Sequence, residues 1–557
     1  MGVPTKVQLI KRKSSQQWYI NFPAAIAQAM DFVRGEVVEW HIEDRATLAL
    51  TRKEPPPSLL KKKTGQGLLF QIERMIDSTH SAFKQERNLE RARRLVLSQL
   101  ACLGRHTMTG VICTSGRQFR DWTADYRLFS EERFDKDAVL GELRKEAAGN
   151  LPDTGPVVCV MDDSVMRKKG KKIPGTGQVR DPLSLHFRPN LIWAQRFIQV
   201  SMMVPSGEEE GPARGVPIDF ICAPLARKPR RSSSPESWEQ YLLLKEQNNI
   251  SRLGAERIKK LRSELASDEL TAGRPLWVAV DGRFTNTRVF KEVPEGMVLI
   301  GRLRADSRLY YLPCPEDNPR GAGRKRSYGK RAPTPDELRK DESVPWQDVP
   351  IFAAGKVHNF RVKVLSGVLW KPAGPDKPLL LVVIGPLYYR PSKKSNVLYR
   401  DPAYLVCTDP GAPLRKIIQA FVWRWEIEVN IRDEKQLVGL GQAQMRNENS
   451  VESDPALVVA AYSMLLLAGM KAFPNQDCSL PPPRWRKKDK PRLSTQDLIN
   501  ELRFELWGKA MGVDTAPAHH MVKTKGNFEG FRCATLVDQK PEKYTPQLTS
   551  AVLYATG

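Results

Sequence analysis

The segment from Ala412 to Val438, APLRKIIQAFVWRWEIEVNIRDEKQLV, constrains this chain more than any other. Pro413 stands where a helix can open, because the first turn does not need its missing N–H. No further Gly or Pro occurs before Gly439, so roughly seven turns can follow. Ile417, Ile418, Ala420, Val422, Trp423, Trp425, Ile427, Val429 and Ile431 make it apolar on nearly every side, the mark of a buried helix. Arg424, Glu428 and Lys435 interrupt that coat. At about 100° per residue, Phe421, Arg424, Glu428 and Lys435 fall within an arc of roughly 60°. A solvated face with i,i+4 ion pairs would look the same on one isolated helix. The seam gains meaning only from what the rest of the chain supplies.

Two apolar strands upstream supply it. GPVVCVMDDS (155–164) ends in Asp162 and Asp163, and RPLWVAVDGRF (274–284) carries Asp281 at its end. Strands of a central sheet present side chains at their carboxyl ends, where ligands collect. With these aspartates, the pattern F-x2-R-x3-E-x6-K resembles the Y-x2-R-x3-E-x6-K signature of cut-and-paste insertion-sequence transposases with a DDE catalytic triad. The resemblance covers roughly residues 150–475. Phe421 stands where the family has Tyr, so the hydroxyl that contacts DNA phosphate in the family is absent.

The resemblance implies a multidomain α/β chain, with an RNase H-like mixed sheet and flanking helices interrupted by a β-rich insertion. It implies Asp163, Asp281 and Glu428 as the catalytic, metal-binding acids. The family's first acid directly precedes Ser or Thr; Asp163 before Ser164 fits that, with Asp162 as runner-up. Phe421, Arg424 and Lys435 would lie at the DNA, the two cations holding phosphates. In relatives a Trp of the insertion stacks on a flipped base; Trp370 and Trp346 are candidates, with core packing as the alternative.

The chemistry agrees with the residue types. Converging carboxylates repel and gain proton affinity unless cations neutralise them. Their oxygens are hard ligands suited to Mg²⁺, with Mn²⁺ as a substitute. Two ions about 3.5–4 Å apart can activate a water or a 3′-hydroxyl for in-line displacement at phosphorus. The basic run RKKGKK (167–172) follows the first acids, so Lys168 and Lys169 are expected DNA contacts unless the run is merely a solvated loop.

The formal charge of +25 calls for a polyanionic partner, with nucleic acid first. An anionic membrane is the weaker candidate: no long basic helix has one clean apolar face, and no apolar run reaches 18 residues. The opening residues lack the apolar core of a signal peptide. Eight cysteines without a C-x2-C pair suit buried thiols in a reducing cytoplasm better than a disulfide framework or a zinc site. A cytoplasmic, nucleoid-associated protein is expected.

Residues 1–53 alternate as four strands around a short helical turn, AAIAQAM, and resemble the swapped-hairpin domain of AbrB-like regulators, which forms intertwined dimers. A Pro- and Lys-rich linker occupies 54–66, and 67–150 read as helical; the transposase resemblance implies a helical DNA-binding domain there, with a helical bundle without DNA contact as the alternative. The core would run over 151–305 and 406–475, the β-rich insertion over 306–405, and a basic C-terminal region over 476–557. Residues 206–236 read as a charged, Pro-rich loop. Ser494 is placed to cap a helix.

These implications add up to a homodimeric transposase. It would bind the terminal repeats of a mobile element and cut there, with a hairpin as one route, then join the 3′ ends to target DNA. A DNA-binding regulator with a relic core, and a nuclease without strand transfer, are the alternatives.

Overall fold

In this computed structural model the described residues are 67–510, apart from 183, 186, 208–210, 315–324, 390–394 and 475–491, together with four strands among the first 66. The chain divides into two compact units, Met1–Gln66 and Gly67–Gly557. In the first, β1 (Val7–Arg12) pairs antiparallel with β2 (Ser15–Ile20), and β3 (Val38–Ile42) with β4 (Leu48–Arg52). These are the strands that the alternation around Leu9, Trp18, Trp40 and Leu50 predicts. The AAIAQAM turn lies outside the described residues, as does most of the basic strap at 481–492.

The second unit opens with helices α1 (Leu68–Ser78), α2 (Glu86–Ala101), α3 (Met108–Thr114), α4 (Thr123–Ser130) and α5 (Lys136–Ala148). Their apolar positions recur at helical spacing and share one core with the sheet that follows. That sheet begins with β5 (Val157–Arg167), β6 (Gly177–Arg180), β7 (Leu191–Pro205) and β8 (Ala213–Ala223). Helices α6 (Pro235–Gln247) and α7 (Ile250–Ala266) follow, then β9 (Leu276–Val280), the short α8 (Thr287–Phe290) and β10 (Met297–Arg302). Across the sheet the order is β8-β7-β5-β9-β10. β5, β9 and β10 run parallel, and β7 is antiparallel to both β5 and β8. This mixed sheet with flanking helices fits an RNase H-like domain. Every residue of β9 is buried, as an apolar run covered on both faces should be.

One expectation needs correction. Residues 206–236 are not all loop, because β8 runs through them. Its signal is masked by Pro217 and Asp219, which sit where the β7–β8 register shifts, and a bulge is where a strand tolerates proline. The strands of 306–405, expected as a β-rich insertion, continue the core sheet. After the two-residue β11 (Leu309–Tyr310) and β12 (Arg331–Ala332) and the helix α9 (Pro335–Lys340) come β13 (Gln347–Ala353), β14 (Lys356–Trp370) and β15 (Leu379–Ile384). A small hairpin, β16 (Leu387–Tyr389) with β17 (Leu398–Arg400), precedes β18 (Ala403–Cys407). β18 pairs with β10, β15 with β18 and β14 with β15, so the core sheet is extended edge-on into one twelve-stranded sheet.

The segment that opened the sequence reading is helical but not continuous. α10 (Leu414–Trp423) and α11 (Trp425–Gln436) meet at Arg424. There the backbone tightens to i→i+3 bonds, Arg424 N–H to Phe421 C=O and Ile427 N–H to Arg424 C=O. Gln419 bonds both backbone groups of Phe352, which ties α10 to β13. α11 lies instead on β5, β7 and β8.

Helix α12 (Ser450–Ala472) is long and apolar enough to cross a membrane by length and composition, but 89% of its apolar window is buried inside the protein. It is a core helix. α13 (Thr495–Ala510) is capped as expected: Ser494 Oγ accepts from Asp497 N–H while the Asp497 carboxylate accepts from Ser494 N–H. Glu505 of α13 accepts from the N–H groups of Leu68 and Leu69, closing the open end of α1. Cys102, Cys159, Cys222 and Cys407 are buried, and the described cysteines are free thiols.

Candidate functional site

β5 and β9 lie parallel with Met161 opposite Val280, so Asp162, Asp163 and Asp281 all leave the sheet at one end. Successive strand residues point to opposite faces, which separates the two neighbouring aspartates. Val160, Asp162 and Ser164 turn to the face covered by α11. There Gln199, the cross-strand partner of Asp162, donates to Glu434, and Ser201, the partner of Val160, is bonded by Asn430. Met161 and Asp163 turn to the other face, where Met161 and Phe284 pack against Gly254 of α7.

Arg424 joins the acids on the α11 face. Its guanidinium donates to Asp162 at 3.3 Å and to Glu428 at 2.9 Å, so one side chain spans the strand-end acid and the helix acid. Burial and the neighbouring charge of Asp281 push the Asp162 carboxyl up to about 7, against the pull of Arg424. Asp281 accepts from the N–H groups of Arg283 and Phe284, which fixes its carboxylate at the start of its loop. On the opposite face Asp163 accepts from Arg283 at 3.1 Å. Burial raises its carboxyl to about 6, with Arg283 and Arg196 opposing.

The remaining seam residues have defined seats. The Phe421 ring lies 5.8 Å from the Arg424 guanidinium, so it supports that cation although it lacks a hydroxyl. Lys435 donates to Ser164 Oγ at 2.7 Å, and burial pushes its ammonium down to about 8. Thus Asp162, Ser164, Arg424, Glu428 and Lys435 form one strip along the β5–α11 contact. Lys169 is exposed.

Two expected DNA contacts are placed otherwise. Lys168 is only 8% exposed and donates to the carbonyls of Gly441 and Ala443, so it braces the loop after α11 and offers no free cation. Trp370 is also 8% exposed and packs edge-on against Phe290, so its ring is core. Trp346 holds Arg361 and Lys363 over its ring. Spacing cannot distinguish a lysine facing solvent from one turned onto carbonyls. Sequence reasoning also passed over Arg283, Gln199 and Glu434. The first lies two residues past Asp281 and could have been found; the others show no pattern until the strands pair.

The fit to divalent metal can be judged from the donors. Among the described residues no three Asp, Glu, His or Cys side chains are clustered as a ready-made metal site; Arg424 stands between Asp162 and Glu428 instead. The donors themselves suit a hard cation. They are carboxylate oxygens, and Asp162, raised by burial and by the neighbouring charge of Asp281, would be held ionised by a cation there. Residues 80–350 match the family model described as DDE superfamily endonuclease. The match spans Asp162, Asp163 and Asp281 and stops short of Glu428. It supports a DDE-type transposase or endonuclease domain, whose superfamily uses divalent metal ions. No curated protein matches the chain.

Proposed function

We propose that this protein is a DNA transposase that binds the terminal inverted repeats of a mobile element, cleaves there, and joins the freed 3′ ends to target DNA. The observation that carries the reading is Arg424, held at once by Asp162 and Glu428 beside the Asp281 loop. It links acids from two distant segments, and the charge of Asp281 acts on one of them. Asp162, Asp281 and Glu428 are the residues proposed to hold Mg²⁺, with Asp163 as a flanking acid. The ions would supply activation of the attacking oxygen and stabilisation of the leaving one.

The chain's own part is positioning and charge. Arg424, once released from its carboxylates, and Lys435 hold the phosphates on either side of the scissile bond. Phe421 keeps Arg424 over the site. The attacking group is water in the first step and the 3′-hydroxyl in the second, so no protein nucleophile is used. A homodimer bridging two element ends suits an intertwined N-terminal β unit, and a cytoplasmic, nucleoid-associated setting follows from the DNA substrate.

The test is Mg²⁺-dependent cleavage of DNA carrying the inverted repeats that bracket the gene. Asp281→Ala should abolish cleavage and retain binding. Absence of cleavage with Mg²⁺ or Mn²⁺ would leave a DNA-binding regulator. Pre-cut ends that are not joined to target would leave a nuclease.

A further inference from the structure

Between the acid-bearing strand β5 and its neighbour β7 the chain builds an arm. β5 runs past Asp163 to Arg167, and β6 folds back on residues Leu191–Ala194 of β7. The arm therefore continues the acid strand beyond its carboxyl end. Leu191 lies along β7 from Ile198, the partner of Asp163, by roughly 23 Å at the usual strand rise.

Bonds within the arm and to residues 441–444 brace its described residues. Lys168 is pinned to the carbonyls of Gly441 and Ala443, and Lys169 N–H donates to Gln444. Arg167 pairs with Asp181, and Trp193 Nε1 donates to Thr176. At the tip Asp181 N–H donates to Asn190 C=O, Arg188 N–H to Leu185 C=O, and the Arg180 guanidinium to Ser184 Oγ and Leu185 C=O.

A braced arm of this kind could have turned its apolar side chains inward. Instead Phe187 is 84% exposed and Leu185 59%. Lys169, Lys171, Lys172 and Arg188 are exposed around them. From Arg167 to Trp193 the sequence carries seven Lys or Arg and one acid, Asp181. Exposed aromatic surface among cations, held in place and not buried, fits a single-stranded or unstacked nucleic acid: phosphates take the cations and a base takes the ring.

We propose that the arm Arg167–Ala194 grips the DNA strand leading to the acids, with Lys169, Lys171 and Lys172 on phosphates and the Phe187 ring stacked on an unpaired base. The inference rests on the reading of the site as one that cuts DNA. A strand spaced at 3.4 Å per nucleotide would cover the arm's length in about seven nucleotides. The arm is thus long enough to hold DNA well outside the scissile phosphate.

The experiment uses the full chain and two probes: a duplex, and the same duplex with a 3′ single-stranded tail carrying 2-aminopurine. Replacing Lys169, Lys171 and Lys172 together by Ala should flatten the slope of log K against log salt by about 0.9 per lost phosphate contact on the duplex. Phe187→Ala should weaken binding of the tailed probe by about 5- to 150-fold, the worth of one stacked base, and abolish the 2-aminopurine signal while duplex binding stays near wild type. Thermal denaturation controls for folding, and both changes lie at exposed positions. If the wild type cuts DNA and both variants bind both probes as it does, the arm inference alone is overturned. If the variants alter only self-association, the arm is a contact between copies and the inference falls. If the wild type binds neither probe, the proposed function falls with it.

Discussion

The two faces of β5 carry different cargo. The face under α11 is a polar network: Asp162 meets Arg424 and Glu428, Ser164 meets Lys435, Gln199 meets Glu434, and Ser201 meets Asn430. The face under α7 is chiefly apolar, with Met161 and Phe284 against Gly254, and carries Asp163 at its rim with Arg283. Both acids sit on one strand, one residue apart, yet only Asp162 shares a cation with the helix acid. One face is built to hold charge in place, the other to hold the sheet together. Substitutions should therefore separate: activity fails first on the α11 face and stability first on the α7 face.

The largest expected effect tests that separation at the acids. Asp162→Asn should lower metal-dependent cleavage by at least about a thousandfold, the scale of losing a group that acts on developing charge. Asp163→Asn should cost about 10- to 100-fold, scaled as a flanking contact. Single-turnover cleavage under saturating Mg²⁺ reads both, and the reverse order would break the comparison. Next is Phe284→Ala. Phe284 is fully buried, and its loss should destabilise by about 3–5 kcal/mol in thermal or denaturant unfolding.

Asn430→Ala sharpens the contrast. It removes the donor to Ser201 Oγ and to the Gly215 carbonyl and strands buried acceptors, at a cost of about 1–3 kcal/mol. Because Asn430 lies two residues from Glu428 on α11, cleavage should fall by more than the stability loss explains. Phe284→Ala, measured below its own melting temperature, should show no such excess.

The smallest effect concerns Glu434. Burial pushes this carboxyl up from its ordinary 4.5 to about 8, and its Oε2 and the Oε1 of Gln199 both lack partners. A protonated Glu434 donating to Gln199 would satisfy both atoms. The folded state then holds a proton that the unfolded chain releases near 4.5. Stability is full below that value and falls as pH rises toward 8. Glu434→Gln should remove this dependence, a slope of up to about 1.4 kcal/mol per pH unit. Unfolding free energies from pH 5 to 8 for the variant and wild type decide it; parallel curves would mean that Glu434 is ionised in the fold.

Much of this arrangement was legible before any coordinates. The apolar runs Val157–Met161 and Leu276–Val280, each followed by acid, were readable because runs of β-branched residues leave few alternatives, although β5 continues past Asp162 and Asp163 to Arg167. The Arg424–Glu428–Lys435 seam was readable because helical spacing is periodic, and it survives the break at Arg424. Less legible were β8, hidden by Pro217 at a bulge, and the pairing of β18 with β10, which joins the strands of 306–405 to the core sheet. The choice of Asp163 over Asp162 followed a neighbouring serine in the sequence, while strand alternation places Asp162 toward α11.

The sequence alone determined which acids follow the apolar strand runs and which acids and cations share one helix seam, since those follow from local periods of two and 3.6 residues. It also determined the basic character of the arm. Tertiary structure alone decided which aspartate faces Glu428, that Lys168 and Trp370 are buried, and that Phe187 is left exposed. Burial and facing depend on which distant segment packs opposite, and no local period carries that information.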